Sequence, residues 1–234
     1  MPPQRPDVAA LADAIRMLVA AGQIDYSGHA SLRRDGGSFY INAGSSVRAS
    51  VTAADIVAID FDGALVEGTE RPPLEYPLHA EVYRSRADVQ AVVHTHPRWS
   101  TLLSMVGVAV RPVFPQGALL GDLPVLDSPL SIDTPEMGRR LAATLGSAPA
   151  MLLKSHGAVI VGGSVLEAFA LAIYLEENAS RQYHALQIGT PYVLSGEEQA
   201  ACRARLASAA LFRKAWEHYS LRSDQSRDKR PGSG

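Results

Sequence analysis

Two short strand-like runs between Gly28 and Ile41 flank Asp35-Gly36-Gly37, which has the composition of a hairpin turn. A hairpin pairs its strands antiparallel, so a sheet that contains one cannot be wholly parallel. Elsewhere strand and helix patterns mix without a strict βαβ rhythm. This favours an α/β fold with a mixed, mostly antiparallel central sheet flanked by helices. The 234 residues suffice for one large domain. A single domain over 1–222 is expected. The charged, Ser-, Gly- and Arg-rich stretch 223–234 has disorder as its default reading.

Helical spacing of Val8, Leu11, Ile15 and Leu18 predicts a first helix from Asp7 to Ala21, stopped at Gly22. Strands are expected at Ile56–Asp60, Gln90–His94, Leu123–Leu126, Ala150–Lys154 and Ala158–Val161. Helices are expected at Pro77–Arg86, Trp99–Met105 and Thr134–Leu145. Ser164 with Glu167 reads as a capping box opening a long helix to Ile188. A last helix is expected from Glu197 to Tyr219.

Twenty-two Lys and Arg against 24 Asp and Glu give a net charge of −2, without the basic surplus of a nucleic-acid binder. No apolar run approaches the roughly 18 residues of a membrane span. Met1–Asp7 lacks the apolar stretch of a signal peptide, and the lone Cys202, read as helix packing, fits a reducing compartment. A cytoplasmic protein that binds neither nucleic acid nor membrane is the expectation.

The informative residues are seven histidines. His94 and His96 form an H-x-H pair at a predicted strand end, where alternate side chains share a face and two imidazoles can reach one metal ion. The alternative is two half-buried histidines satisfied by backbone. His156, between two apolar strands and before Gly157, is the candidate third ligand, since a catalytic zinc commonly has three protein ligands and an open position. Glu75, in the Pro-rich approach to a helix, is the candidate acid or base. Its bland alternative is a solvated loop carboxylate. His79 reads as packed behind the ligands, and His184 and His218 as structural.

The blocks around Glu75, His79-Ala80-Glu81-Val82-Tyr83-Arg84, Ala91 to Pro97 and Leu152 to Gly157 resemble the class II aldolase/adducin family in order and spacing. Gly28-His29-Ala30-Ser31-Leu32-Arg33 and Glu176-Glu177-Asn178-Ala179 fit as well. The resemblance covers Val8 to Leu211. It implies a nine-stranded sheet and one divalent metal per chain, zinc first, with manganese, iron or cobalt as alternatives. The implied ligands are His94, His96 and His156, and Glu75 is the catalytic carboxylate and possible fourth ligand. A homotetramer with active sites at subunit interfaces is implied too.

Sugar-phosphate enzymes of that family bind phosphate through an Asn in G-N-x-S, a T-P-x-G loop and two serines before the catalytic Glu. This chain has His29, Asn42-Ala43-Gly44-Ser45-Ser46, and Pro73-Leu74 at those places. It also lacks a tyrosine in Val113-Phe114-Pro115-Gln116-Gly117, where the aldolases use one as proton donor. A dianionic phosphate would be poorly compensated here. The pattern is similar instead to the decarboxylase branch, which acts on hydroxylated aromatic dicarboxylates such as 3,4-dihydroxyphthalate or 3-hydroxy-2-methylpyridine-4,5-dicarboxylate. The expected function is therefore a metal-dependent carboxy-lyase of aromatic catabolism with a small aromatic dicarboxylate as substrate. His29, Ser31, Arg33 and Arg48 are the expected substrate-binding residues. The alternatives are a sugar-phosphate aldolase, epimerase or dehydratase, and a non-catalytic adducin-like assembly module. Retention of Glu75 and all three histidines argues against the last.

Overall fold

The computed structural model describes residues 6–228. Its strands are β1 (His29–Arg34), β2 (Ser38–Asn42), β3 (Ile56–Asp60), β4 (Leu65–Glu67), β5 (Ala91–Thr95), β6 (Val125–Leu126), β7 (Ala150–Leu153) and β8 (Gly157–Gly162). Its helices are α1 (Pro6–Ala20), α2 (Tyr76–Ser85), α3 (Arg98–Met105), α4 (Pro135–Leu145), α5 (Val165–Ile188), α6 (Gly196–Leu206) and α7 (Ala209–Asp228). One sheet runs in the order β4-β3-β2-β1-β5-β8-β7-β6. Every neighbouring pair is antiparallel except β6 with β7. The α/β, mostly antiparallel expectation holds. The count among the described residues is eight strands, not the nine that the resemblance implies.

Both faces of the central strands are dry, and the strands show why in their alternation. Ala91 and Val93 of β5, Ala150 and Leu152 of β7, and Ala158 and Ile160 of β8 join one core with α1 and α5. The intervening Val92, Met151, Leu153, Val159 and Val161 join a second core with α2 and α4. Position 94 follows Val92 on the α2 side, and the register pairs it with His29 on β1 and Val159 on β8. The sheet thus carries His29, Ser31 and His94 toward α2. No helix among the described residues is long and apolar enough to cross a membrane.

Several expectations need correction. The predicted last helix is two: α6 ends at Leu206, and Ser208 starts α7 by accepting the Leu211 amide on Oγ at 3.4 Å. The α7 helix continues to Asp228, past the expected boundary at 223, and residues 229–234 of the predicted tail lie outside the described residues. Met1–Arg5 lie outside them as well. Strand β4, Leu65-Val66-Glu67, is exposed and only three residues long, too short for an alternation to reveal it. Ser164 does cap α5 by accepting from the Glu167 amide, but the Glu167 carboxylate accepts from Gly163 rather than completing the box.

The β7–β8 turn carries His156. Ser155, not Gly157, takes the left-handed conformation, at φ 58°. Gly157 is needed instead for close approach: a Cβ there would collide with the Thr95 carbonyl and sit 3.0 Å from Cδ2 of His96. We expect Gly157→Ala to cost about 1–3 kcal/mol by overpacking and to weaken divalent-ion binding, read by thermal melting and chelator competition. Unchanged ion affinity would show that the β5 end tolerates displacement.

Candidate metal centre

His94 is fully buried near the end of β5, and His96 lies just past that strand with its amide bound to the Gln23 carbonyl at 2.9 Å. Pro97 precedes α3, so the chain leaves the sheet there. His156 enters from the β7–β8 turn. The ring centroids of His94 and His156 are 5.1 Å apart, and those of His96 and His156 are 5.3 Å apart. One ligand atom from each of the three imidazoles lies within 4.8 Å of the others. Glu75 occupies the N-cap position of α2, where the helix dipole favours a carboxylate. Its Oε1 accepts the Ile132 amide at 2.8 Å and is 3.9 Å from Nε2 of His156, while Oε2 is 3.6 Å from Nε2 of His94.

Proton bookkeeping within this group tests whether a cation fits. Nδ1 of His94 is 3.1 Å from the Ala158 carbonyl, and Nδ1 of His96 is 3.0 Å from both oxygens of Asp25. Those partners only accept, so in neutral rings both Nδ1 atoms carry the hydrogen and both Nε2 atoms are bare lone pairs. Yet the two Nε2 atoms face each other at 3.1 Å. Two acceptors at that distance need a positive centre between them. Two imidazoles on one tetrahedral zinc stand roughly 3.3 Å apart, given bonds of about 2.0–2.1 Å. The residues fit a divalent ion.

The electrostatics agree. Burial pushes the imidazoles of His94, His79, His29 and His156 below their ordinary value, favouring the neutral form that ligates metal. Burial alone would raise the Glu75 carboxyl. The nearby His29 and His94 rings and the Ile132 amide outweigh it and hold Glu75 well below the usual carboxylate range.

Behind Glu75 runs a buried polar chain. Nε2 of His29 faces Oε2 of Glu75 at 3.5 Å, and Nδ1 of His29 is 2.7 Å from Nε2 of His79. Nδ1 of His79 is 2.6 Å from Oγ of Ser31, which is 2.7 Å from the Tyr83 hydroxyl. Because the carboxylate only accepts, the chain has one consistent polarity. Tyr83 donates to Ser31, Ser31 to His79, His79 to His29, and His29 presents Nε2–H to Glu75.

Of the expected substrate residues, the structure brings only His29 to the centre. Ser31 stands two hydrogen bonds behind it. Arg33 is a correction: its Nε donates to the Val89 carbonyl at 2.7 Å, and its Nη2 to the carbonyls of Tyr83 and Arg86 at 2.9 and 2.7 Å. The guanidinium closes the end of α2 and stacks on the Tyr83 ring, so it is not available to a substrate. Arg48 is buried beneath the 43–46 loop, with Nε on the Gly28 carbonyl at 2.8 Å and Nη1 on the carbonyls of Ala43 and Gly44 at 3.3 and 3.2 Å. It shapes the loop rather than reaching the imidazole cluster. His184 bonds the Ser180 carbonyl and packs on Trp99, and His218 packs on Tyr219, both as structural residues. Sequence reasoning missed Asp25 and the Ile132 amide. An Asp before a Ser-Gly pair signals a turn, but nothing in the sequence points it at His96.

Imidazoles and a carboxylate gathered at strand ends of a helix-covered sheet form a group that could hold a metal ion, and the fold has relatives that can be named. A family model described as Class II Aldolase and Adducin N-terminal domain matches residues 9–183, and the chain belongs to this family. A 3,4-dihydroxyphthalate decarboxylase from Terrabacter sp. (strain DBF63) is 37% identical over 183 residues, covering 72% of this chain and 77% of the relative. A 5-methylthioribulose-1-phosphate/5-deoxyribulose-1-phosphate aldolase from Rhodospirillum rubrum is 30% identical over 190 residues, covering 80% and 85%. Among solved structures, the l-fuculose-1-phosphate aldolase from Thermus thermophilus superposes with a TM-score of 0.71 at 32% identity, covering 81% of this chain and all of that one. The family and its decarboxylase branch are thus the chain's relatives, at modest identity.

Proposed function

We propose that this chain is a divalent-metal-dependent carboxy-lyase acting on an ortho-hydroxylated aromatic or heteroaromatic dicarboxylate. The observation that carries the reading is His29. Where phosphate-binding members place an asparagine, this chain holds an imidazole, facing Glu75 at 3.5 Å and backed by a buried hydrogen-bond chain. The relative named for 3,4-dihydroxyphthalate supports the same direction. His94, His96 and His156 would hold the ion, with Glu75 as a fourth ligand or as the proton carrier beside it. The ion, when bound, supplies a Lewis acid that draws electron density from the phenolic and ortho carboxylate oxygens.

The protein residues move the proton. Glu75 faces the His29 and His94 rings, and in this reading it acts first as a base and takes the hydroxyl proton. As the ring–carboxylate bond breaks, carbon dioxide leaves and the electron pair stays on the ring. Glu75 then returns its proton to that ring carbon. On substrate binding the His29 Nε2–H, 3.5 Å from Glu75 in the free chain, would donate to the second carboxylate instead and hold the ring in place. Exposed Leu74 and Tyr26 flank Glu75 and Asp25 in sequence and suit a surface covered by a further copy of the chain, in keeping with a homotetramer.

A panel assay tests the substrate. Carbon dioxide release is expected from dihydroxyphthalates or hydroxypyridine dicarboxylates, and no aldehyde release from fuculose or ribulose phosphate. The second reading, sugar-phosphate aldol cleavage, has its support in the 30%-identical aldolase. Aldehyde release without carbon dioxide would put that reading first.

A further inference from the structure

His96 is distinguished from His94 by what holds its far side. Nδ1 of His94 meets a neutral carbonyl, that of Ala158 at 3.1 Å, whereas Nδ1 of His96 meets both carboxylate oxygens of Asp25 at 3.0 Å. The Asp25 carboxylate also builds the turn ahead of β1. Its Oδ1 accepts the Ser27 amide at 2.8 Å, the Ser27 hydroxyl at 3.2 Å and the Gly28 amide at 3.3 Å. Gly28 leads directly into His29, and its carbonyl accepts from Nε of Arg48 at 2.8 Å. With the Gln23 carbonyl holding the His96 amide at 2.9 Å, both ends of His96 are fastened to the 23–25 loop.

We propose that Asp25 is a positioning residue of the metal centre: it fixes His96 as the Nδ1–H tautomer and so turns the bare Nε2 toward Nε2 of His94. The inference rests on the reading of the three imidazoles as ligands. Its physical basis is the acceptor-only character of the carboxylate. Without that acceptor, the His96 proton can move to Nε2, which removes the lone pair the ion needs. The same oxygen that orders the ligand orders the residue before His29, so ion and substrate contacts are set from one side chain.

Asp25→Asn separates the two roles. Asparagine keeps an Oδ1 for Ser27 and Gly28, so the turn survives, but it removes the charge and puts an amide NH2 in place of one of the two acceptors beside Nδ1 of His96, leaving an Oδ1 already shared with the turn. Metal-stripped wild type and variant should melt within a few degrees of each other. Zinc affinity, read by competition with a chromophoric chelator, should fall about 10–100-fold. Long-range ¹H–¹⁵N spectra of the stripped proteins should show His96 protonated on Nδ1 in wild type and a raised share of the Nε2–H tautomer in the variant. Zinc binding by Asp25→Asn as tight as wild type would overturn the inference. So would a wild-type His96 with its proton on Nε2, a result that does not depend on the variant folding. A wild type that takes up no zinc while His96 carries Nδ1–H would be a different failure, that of the metal reading itself.

Discussion

Replacing His94 with alanine is expected to abolish both ion binding and turnover. Substituting the outer partner of a metal-ligating histidine commonly costs about 10–100-fold in affinity, and removing a ligand must cost more. His94 has particular weight because it is shared. Its Nε2 faces Nε2 of His96 at 3.1 Å and Oε2 of Glu75 at 3.6 Å, and its ring centroid is 4.9 Å from that of His29. Alanine would leave a two-imidazole site and a void beside His29 in a fully buried position. Elemental analysis after dialysis reads the first effect and carbon dioxide release the second. A variant that keeps a stoichiometric ion would show that the other two imidazoles and Glu75 suffice.

The second large effect belongs to Glu75→Gln. The ion should remain, because three imidazoles hold it, while turnover falls by roughly 10²–10⁴, the usual contribution of a positioned acid–base group. Glutamine can still accept the Ile132 amide at Oε1, so the start of α2 should not move. It cannot carry a proton to the ring carbon. It also presents an amide NH2 to His29, against the polarity that runs from Tyr83 through Ser31 and His79. The chain must then reverse or leave a donor facing a donor. Full activity in this variant, with its ion present, would reassign the proton carrier.

The architecture is legible in the sequence where periodicity is strong. The hairpin at Asp35-Gly36-Gly37, the Ile56–Asp60 strand and the long helix after Ser164 fall within a residue or two of their expected places, because both faces of the central strands are buried and the alternation is clean. The α6–α7 break is not legible, since Ala207 and Ser208 carry no glycine or proline and the new helix starts on one serine cap. The histidine cluster stands out because metal ligation restricts residue type and spacing. Arginine has no such restriction. Arg33 sits in a motif, yet its donors go to main-chain carbonyls that only the folded chain brings near, and Arg48 does the same under its loop. The Ile132 amide illustrates the limit from the other side. It holds the Glu75 carboxylate from 57 residues away, and a backbone donor has no signature in the sequence.

The central claim joins an ion on His94, His96 and His156 to carbon dioxide release beside Glu75. It is tested most directly by stripping the protein with a chelator and titrating a divalent ion back while carbon dioxide is measured from 3,4-dihydroxyphthalate and its hydroxypyridine counterpart. The expected result is no release from the stripped protein and recovery that saturates near one ion per chain. Release that persists without the ion, or an ion-loaded protein that cleaves only sugar phosphates, would contradict it.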